Sequence, residues 1–377
     1  MSNKGKLNIP VITVRGSAYE IGVEHGQKAK EAIQHNFQFY LNLWNHFSGV
    51  KRNQVLKKAQ TFIPYIENLD SELVEELKGV SKGSGMQFEE IVALNSRWEL
   101  NYAYMMGSSK KVLPEGCTAY ALIPEATKNR HVFVGQNWDY KPGVENSCII
   151  LRIKQEKKPE ILMHTEAGII GHKGFNSAGI GVCLNLIRCE KDIFQPGLPV
   201  WIKVRGILNS KSLPDCLKIL TGFEGPNSAN MVIAHRDGEA IDVECAPDDT
   251  FFLFPSGGVL THSNHFLSPR FSVKDTAKSL VPDTVIRNHR ASRLLQERRG
   301  NLDLKTIKNV LKDHFGHPDS ICRHRDERQD ALYFWPPLRP PLRDHCYGKS
   351  LLNAIGGQGQ GWGQAQLLDI YNKLAFS

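Results

Sequence analysis

A cysteine between a polar loop and a strand-like segment is the residue of this sequence best placed for covalent chemistry. Cys117 follows Gly116 and opens the apolar, β-favouring segment Thr118–Ile123. A glycine before the cysteine allows a strained backbone, which suits a nucleophile that attacks the preceding carbonyl. Cleavage between Gly116 and Cys117 would create an α-amine beside the thiol, with a pKa near about 8, that can act as its base. The pattern therefore favours a cysteine nucleophile that forms by self-cleavage.

Polar side chains that suit the same chemistry follow two more predicted strands. Asp139 lies just after the predicted strand His131–Gly135, and Asn264 follows the predicted strand Gly258–His262. If the first of these strands pairs with the strand that begins at Cys117, it returns the Asp139 carboxylate to the thiol. A fixed amide N–H of Asn264 would stabilise the oxyanion of a tetrahedral intermediate without needing a proton. Alternatively, Asp139 only begins a turn and Asn264 only ends a strand.

Two histidines beside Asn264 offer a different mechanism. His262 or His265 could act as the base of a dyad with Cys117 that needs no self-cleavage. They could also suggest zinc, but two histidines at a strand end without a third ligand are a weak indication of a metal site. The eight cysteines form no CxxC pairs, which argues against zinc and against a disulfide-dense secreted scaffold. We therefore expect no metal.

Five segments in this order resemble the acyl-CoA:6-aminopenicillanic acid acyltransferase family, whose members are cysteine N-terminal-nucleophile hydrolases similar to isopenicillin N acyltransferase. The segments are Arg15–Gly22, Leu94–Leu100, Gly116–Thr118, Gln136–Asp139 and Thr261–Phe266. The resemblance runs from about Val11 to about Arg323. It implies the four-layer αββα sandwich of N-terminal-nucleophile hydrolases, which periodicity alone does not predict.

The resemblance also implies roles for several residues. It makes Asn264 the oxyanion-hole residue and gives Asp139 an important role at the site. Arg323 lies in a segment similar to one that carries a functional arginine, which could bind a substrate carboxylate or steady Asp139. The predicted catalytic residues are therefore Cys117, Asp139, Asn264 and Arg323.

Aromatic and imidazole side chains beside these residues are the candidates for substrate binding. Trp138 and Tyr140 flank Asp139, and His265 follows Asn264. We expect all three to contact the substrate.

The periodicity of apolar residues changes at Cys117. From Ser17 to Val112 they recur mainly at helical spacing, whereas nine strand-like segments lie between Thr118 and His262. The predicted strands are Thr118–Ile123, His131–Gly135, Ser147–Lys154, Glu160–Thr165, Ile180–Leu186, Ala229–His235, Ala240–Glu244, Thr250–Phe254 and Gly258–His262. Two helical segments interrupt the strands and two follow them: Leu198–Leu208, Leu213–Leu220, Asn288–Arg299 and Leu304–Phe315. Strands that form sheets, with helices in separate blocks, predict an α+β architecture.

We divide the chain into three parts. Residues 1–116 form a mainly helical N-terminal segment, which self-cleavage would make a separate subunit, and residues 117–330 form the αββα catalytic core. Residues 331–377 form an atypical tail, where the family pattern leads us to expect further strands that complete the sheet. The Pro-rich run Trp335–Pro341 and the Gly-rich run Gly356–Gln364 are poor candidates for a central strand.

The composition is that of a globular protein with a modest positive charge. The 377 residues are 41% hydrophobic and 23% charged, enough for one large or two interlocked domains. A net charge of +8 favours an anionic substrate such as an acyl-CoA, but the basic clusters are not part of a nucleic-acid module. Met1–Pro10 has no apolar run, and no stretch approaches the roughly 18 apolar residues of a membrane span. We expect a cytoplasmic protein that binds neither nucleic acid nor membrane.

The sequence thus predicts a self-processing cysteine enzyme. It would take an acyl group from an amide or a thioester onto Cys117 and pass it to water or to an amine. It would need no cofactor, have an acyl-CoA as a candidate co-substrate, and work as a heterodimer of its own two fragments. Two alternatives remain open: a Cys-His hydrolase without self-cleavage, and an inactive binding scaffold of the same fold.

Overall fold

The described residues of the N-terminal part form one strand, seven α-helices and a short 3₁₀ helix, Gln60–Phe62. The structure, a computed structural model, describes residues 9–106, 116–141, 143–223, 225–270 and 272–324 and the backbone of residues 348–355. The first elements are β1 (Val11–Gly16), α1 (Ala18–Lys28), α2 (Lys30–Ser48), α3 (Arg52–Ala59), α4 (Ile63–Leu69), α5 (Ser71–Ser84), α6 (Phe88–Asn95) and α7 (Arg97–Tyr104). Ser17 and Glu20 form a capping box that starts α1, and the Asp70 side chain accepts the Glu72 N–H at the start of α5.

Four glycines let α1 and α5 pack backbone to backbone. A Cβ built at Gly22 would lie 2.0 Å from the carbonyl oxygen of Glu76, and one at Gly79 would lie 2.2 Å from that of Tyr19. Gly26 and Gly83 repeat this close approach one turn further on. Any side chain at these positions would force the two helices apart.

Two β-sheets contain the remaining strands, and all but one of their pairs are antiparallel. The strands are β2 (Gly116–Leu122), β3 (Val132–Asp139), β4 (Cys148–Gln155), β5 (Ile161–Glu166), β6 (Gly174–Asn176), β7 (Ile180–Asn185), β8 (Ala229–His235), β9 (Glu239–Ala246), β10 (Asp249–Leu253), β11 (Val259–His262) and β12 (Gly348–Ile355). The large sheet has the order β1-β4-β5-β6-β7-β8-β9-β10, with β1 parallel to β4, and the small sheet has the order β11-β2-β3-β12. The later helices are α8 (Val200–Asn209), α9 (Leu213–Gly222), α10 (Ala277–Leu280), α11 (Asp283–Gln296) and α12 (Leu304–Leu311).

Small apolar side chains join the two sheets face to face. Ala119 and Ala121 of β2 pack with Val232 and Ala234 of β8 in one buried cluster. Because side chains alternate along a strand, the residues between them project away from the large sheet. The strand pair β2–β3 is therefore buried on both faces.

Helices cover the outer face of each sheet. Tyr120 and Leu122 of β2 pack against Leu295 of α11 and Ile307 of α12. On the far side, the large sheet buries its other face against the N-terminal helices and α8 in the main hydrophobic cluster. The layers are therefore helix, sheet, sheet, helix, which confirms the predicted α+β, four-layer αββα sandwich.

Both ends of the described chain contribute strands that periodicity does not predict. β1, in the otherwise helical residues 1–116, hydrogen-bonds along β4 of the large sheet. β12 lies between the Pro-rich and Gly-rich runs of the tail and pairs with β3 at the edge of the small sheet. Both runs themselves fall outside the described residues. The tail thus does supply a strand to the sheet, in the short segment between these runs.

None of the helices that the structure describes is both long enough and apolar enough to cross a membrane.

Candidate active site

Cys117 lies near the start of a buried central strand. Its side chain is 4% exposed and packs with Trp138 of β3 and with Cys148 and Ile150 of β4. Cys117 and Trp138 are directly opposite each other in the β2–β3 pair, so their side chains share one face. This face is the one turned toward the large sheet.

Two side chains from different segments hold the backbone of Cys117. Its N–H donates to Asn264 Oδ1 at 2.8 Å, and its carbonyl oxygen accepts from Arg287 Nη1 at 2.6 Å. Arg287 also donates from Nη2 to the same Asn264 oxygen at 3.0 Å. The nitrogen that self-cleavage would free is therefore already bound to a side chain.

The orientation of the Asn264 amide follows from its partners. Two donors converge on one of its terminal atoms, which must therefore be the oxygen, and Nδ2 donates to the carbonyl oxygen of Leu186 at 3.0 Å. In this arrangement the oxygen, rather than the N–H₂ group, faces Cys117. The oxyanion role of Asn264 stays a prediction.

Asp139 and Arg323 flank Gly116 on the opposite face of the strand pair. A Cβ built on Gly116 would lie 2.6 Å from Arg323 Nη1 and 3.3 Å from Asp139 Oδ2. Gly116 has no positive φ, so the expected backbone strain is not what requires a glycine here. The glycine instead provides the space for these two side chains beside the predicted cleavage site.

Of the two charged side chains beside this peptide bond, Arg323 has ion-pair partners and Asp139 has no hydrogen-bond partner among the described residues. Arg323 pairs with Asp319 at 2.6 Å and with Asp283 at 3.4 Å, whereas neither oxygen of Asp139 has a hydrogen-bond partner among the described residues. Burial raises the pKa of Asp139 to about 7, although Arg323 and Arg287 act in the opposite direction. Asp139 can therefore exchange a proton near neutral pH.

The thiol of Cys117 is protonated in the uncleaved chain. Burial, and then the nearby Asp139 carboxylate, raise its pKa to about 12, while Lys173 and Arg287 lower it. A group that removes the thiol proton is therefore needed before Cys117 can attack a carbonyl.

The two candidate histidines form hydrogen bonds elsewhere. His262 is fully buried, with Nε2 at 2.8 Å from Glu244 Oε1 and Nδ1 at 2.8 Å from the carbonyl oxygen of Ser263. His265 Nδ1 lies 3.2 Å from Ser263 Oγ and 3.0 Å from Thr284 Oγ1, and burial lowers the pKa of His265 to about 4. Neither ring forms a hydrogen bond with Cys117. This geometry gives no support to a Cys-His dyad.

Trp138 and Tyr140 form an aromatic wall on the Cys117 side of the sheet. Their rings are stacked with centroids 5.0 Å apart. The Tyr140 hydroxyl accepts from Arg97 Nη1 at 3.0 Å, and Arg97 forms a fully buried ion pair with Glu166. Of the three predicted substrate-binding residues, these two pack in the cluster of Cys117, whereas the His265 ring contacts Ser263 and Thr284.

Arg287 is the site residue that sequence reasoning did not single out. It is 1% exposed and contacts the Cys117 carbonyl, Thr118 Oγ1, Asn264 Oδ1 and, within α11, Asp283. The spacing of Asp283 and Arg287, four residues apart on a helix, indicates an ion pair but not its position. Only the packing of α11 against the small sheet directs this arginine to Cys117.

Comparisons with known proteins identify a family and a relative that this chain resembles. The family model for acyl-coenzyme A:6-aminopenicillanic acid acyl-transferase matches residues 126–334. The chain is 28% identical over 316 residues to the 40 kDa form of acyl-coenzyme A:6-aminopenicillanic-acid-acyltransferase of Emericella nidulans. This alignment covers 83% of this chain and 84% of the relative.

Two solved structures are similar to the chain at low identity. A single-site variant of conjugated bile acid hydrolase from Clostridium perfringens has a TM-score of 0.36 and 15% identity, over 52% of this chain and 79% of that one. Penicillin V acylase from Agrobacterium tumefaciens has a TM-score of 0.34 and 14% identity, over 54% of this chain and 76% of that one.

The chain matches both the family model and the Emericella relative, so its class is that of the enzymes that catalyse acyl transfer or amide hydrolysis. More particularly, the family model matches more than half of the residues. The chain therefore belongs to the acyl-CoA:6-aminopenicillanic acid acyltransferase family.

Proposed function

We propose that this protein cleaves its own chain between Gly116 and Cys117 and then uses Cys117 as an N-terminal nucleophile. The observation that carries the proposal is the support of this one peptide bond by side chains from distant segments. Asn264 holds the N–H of Cys117, and Asp139 and Arg323 flank Gly116. A strand start buried only for stability needs no such convergence of polar groups.

In the cleaved enzyme, the free α-amine of Cys117 is the base. Its nitrogen starts from a position beside Asn264 Oδ1 and takes the proton of the adjacent thiol. The thiolate attacks the carbonyl carbon of an amide or thioester, and the leaving amine or thiol takes the proton back. Water or an acceptor amine then attacks the acyl thioester on Cys117, which restores the thiol. The protein groups suffice for these steps, so the proposed reaction uses no metal or cofactor.

The two fragments are proposed to remain together as a heterodimer. β1 of residues 1–116 hydrogen-bonds to β4 of the second fragment, and the N-terminal helices bury the outer face of the large sheet. Cleavage of the single Gly116–Cys117 bond would not remove this buried apolar contact, which is the main stabilising contribution in a fold of this kind.

The proposed substrate is a small-molecule acyl amide or acyl thioester, with an acyl-CoA as a candidate acyl donor. The name of the Emericella relative describes transfer from acyl-coenzyme A to 6-aminopenicillanic acid, a reaction of that protein. A panel of N-acyl amines and acyl-CoAs would establish whether this protein prefers hydrolysis or transfer. The net charge of +8 favours the anionic members of that panel.

A two-chain form of the enzyme tests the proposed base. We expect residues 1–116 and residues 117–377, expressed together as separate chains, to be active without processing. In this form His265→Ala should lower kcat only a few-fold, because the His265 ring binds Ser263 and Thr284 rather than Cys117. Turnover of the panel substrates by each folded form is the measurement.

The alternatives give different results in this experiment. Loss of activity by about 10²-fold or more in folded His265→Ala would instead favour a Cys-His dyad. A folded two-chain form that turns over no member of the panel would favour the inactive binding scaffold.

A further inference from the structure

The self-cleavage step lacks the base that the mature enzyme would use. Before cleavage the nitrogen of Cys117 is a peptide nitrogen, and its N–H is donated to Asn264. An amide nitrogen has no free lone pair with which to accept the thiol proton. Burial raises the pKa of that thiol, so another side chain has to remove the proton.

Lys173 is a buried amine that lies over the face of the small sheet to which Cys117 and Trp138 belong. It is 1% exposed and directly precedes β6. Its Nζ lies 3.6 Å from the centroid of the Trp138 ring, and Trp138 is the residue directly opposite Cys117 on β3. The Lys173 and Cys117 groups also interact electrostatically, since the positive charge on the amine lowers the pKa of the thiol.

This lysine has no carboxylate partner in the part of the chain that the structure describes. Its Nζ lies 3.1 Å from Nδ1 of the His172 ring, which also accepts the backbone N–H of Lys173 and therefore carries no proton there. Burial lowers the pKa of Lys173 to about 7, although Cys148, Cys117, Glu166 and Cys183 act in the opposite direction. A substantial fraction of the amine is therefore neutral near pH 7 and able to accept a proton.

Other titratable groups near Cys117 are less suited to this task. Asp139 projects to the face of the strand pair opposite Cys117. Asn137, two residues earlier and therefore on that same face, donates its amide to the Leu311 and Ile321 carbonyls. Both ring nitrogens of His262 are engaged. The unprotonated ring nitrogen of His172, Nδ1, already contacts the backbone N–H and Nζ of Lys173.

We propose that Lys173 accepts the proton of Cys117 during self-cleavage. The flexible four-carbon stem lets Nζ swing from His172 Nδ1 to the thiol. The thiolate then attacks the carbonyl carbon of Gly116, and the Cys117 nitrogen leaves with the proton that Lys173 has held, which gives a thioester and a free α-amine. Water hydrolyses the thioester, with the carboxyl group remaining on Gly116 and the thiol on Cys117.

This inference rests on the proposed self-cleavage and assigns Lys173 to that step alone. After cleavage the α-amine of Cys117 is available and replaces Lys173 as the base. Processing and turnover should therefore respond differently to substitution of Lys173, which a merely structural lysine would not produce.

Two substitutions separate proton transfer from charge. Lys173→Met keeps the length of the side chain without an amine, and Lys173→Arg keeps the charge but cannot lose a proton near neutral pH. We expect both to slow cleavage of the single chain by about 10²-fold or more, the contribution typical of a general base. The same substitutions in the two-chain form should lower turnover at least tenfold less than they slow cleavage.

Lys141→Met is the matched control. Lys141 is a buried lysine of the same region, 4.7 Å from the Tyr140 ring centroid, and the charges that act on it belong to Arg97, Glu166 and Arg188. We expect its single chain to be cleaved at the wild-type rate. Turnover of the two-chain form shows for each variant that the fold is intact.

Three outcomes overturn the proposal. Cleavage of Lys173→Met at the wild-type rate would remove the lysine from the step. Wild-type cleavage of Lys173→Arg alone would show that charge, and not proton transfer, is needed. An equal loss of cleavage and turnover would make the role structural. A wild-type chain that stays uncleaved is a distinct result, because it contradicts the proposed function itself.

Discussion

Replacing Cys117 with alanine is expected to leave a single uncleaved chain without acyl-transfer activity. No side chain then remains to attack the carbonyl carbon of Gly116, and no acyl-enzyme can form. The two-chain form of Cys117→Ala should lose kcat by roughly 10⁶-fold, the scale seen when the nucleophile of a covalent mechanism is removed. Intact mass reports the first effect and substrate turnover the second.

Cys148→Ala is the matched control for this substitution. Cys148 is a buried cysteine that packs in the same small cluster as Cys117. Loss of the Cys148 thiol should reduce the stability of the protein slightly, and the Gly116–Cys117 bond should still be cleaved. If Cys117→Ala is still cut at the Gly116–Cys117 bond, then a foreign protease makes the cut and self-processing is wrong.

The second large effect is expected for Asn264→Ala. Removal of this side chain leaves the Cys117 N–H, Arg287 Nη2 and the Leu186 carbonyl without the partner they share. If Nδ2 also turns from Leu186 to the substrate oxyanion during catalysis, kcat should fall by about 10²–10³-fold, or roughly 3–4 kcal/mol. KM should change far less, because the interaction is made mainly in the transition state. The measurement is the kinetics of the fully cleaved enzyme.

Asn264→Asp separates the two functions of the amide. An aspartate keeps an oxygen acceptor for the Cys117 nitrogen, but it replaces the donor with a charge that repels both the Leu186 carbonyl and an oxyanion. We expect it to be at least as harmful to kcat as the alanine variant. If folded, cleaved Asn264→Ala stays within a few-fold of the wild-type kcat, Asn264 has no role in the reaction.

The apolar runs of the central strands made these strands predictable from the sequence. The prediction for β8, Ala229–His235, agrees with the structure at both ends, and β2, β4 and β5 are displaced by one or two residues. These strands are apolar and bounded by turn residues, so local sequence determines them.

Strands that depend on distant pairing were not predictable in this way. β1 is an edge strand parallel to β4, and a parallel pair has no hairpin turn that would mark it in the sequence. β6 has only three residues, and β12 lies between runs rich in proline and glycine. The four layers themselves were expected from the family resemblance rather than from periodicity.

The site shows the same division between local and distant information. Cys117, Asp139, Asn264 and Arg323 stand out through their short motifs, and the structure brings them to one peptide bond. Arg287 lies in a helix with many charged residues and is distinguished only by the direction in which that helix packs.

The sequence also did not predict a role for Lys173. It carries no motif of its own, and an isolated lysine is most often exposed. Its burial and its position above the Trp138 ring follow from the pairing of β2 with β3 and from the fold of the turn before β6.

The mass and the N-terminal sequence of the purified wild-type protein test the central claim most directly. We predict two fragments, residues 1–116 and residues 117–377, with the second beginning at Cys117 and both held in one complex under native conditions. The same sample should turn over an acyl amide or acyl thioester. A single mass for the whole chain in an active preparation would contradict the account, because Cys117 would then act without a free α-amine.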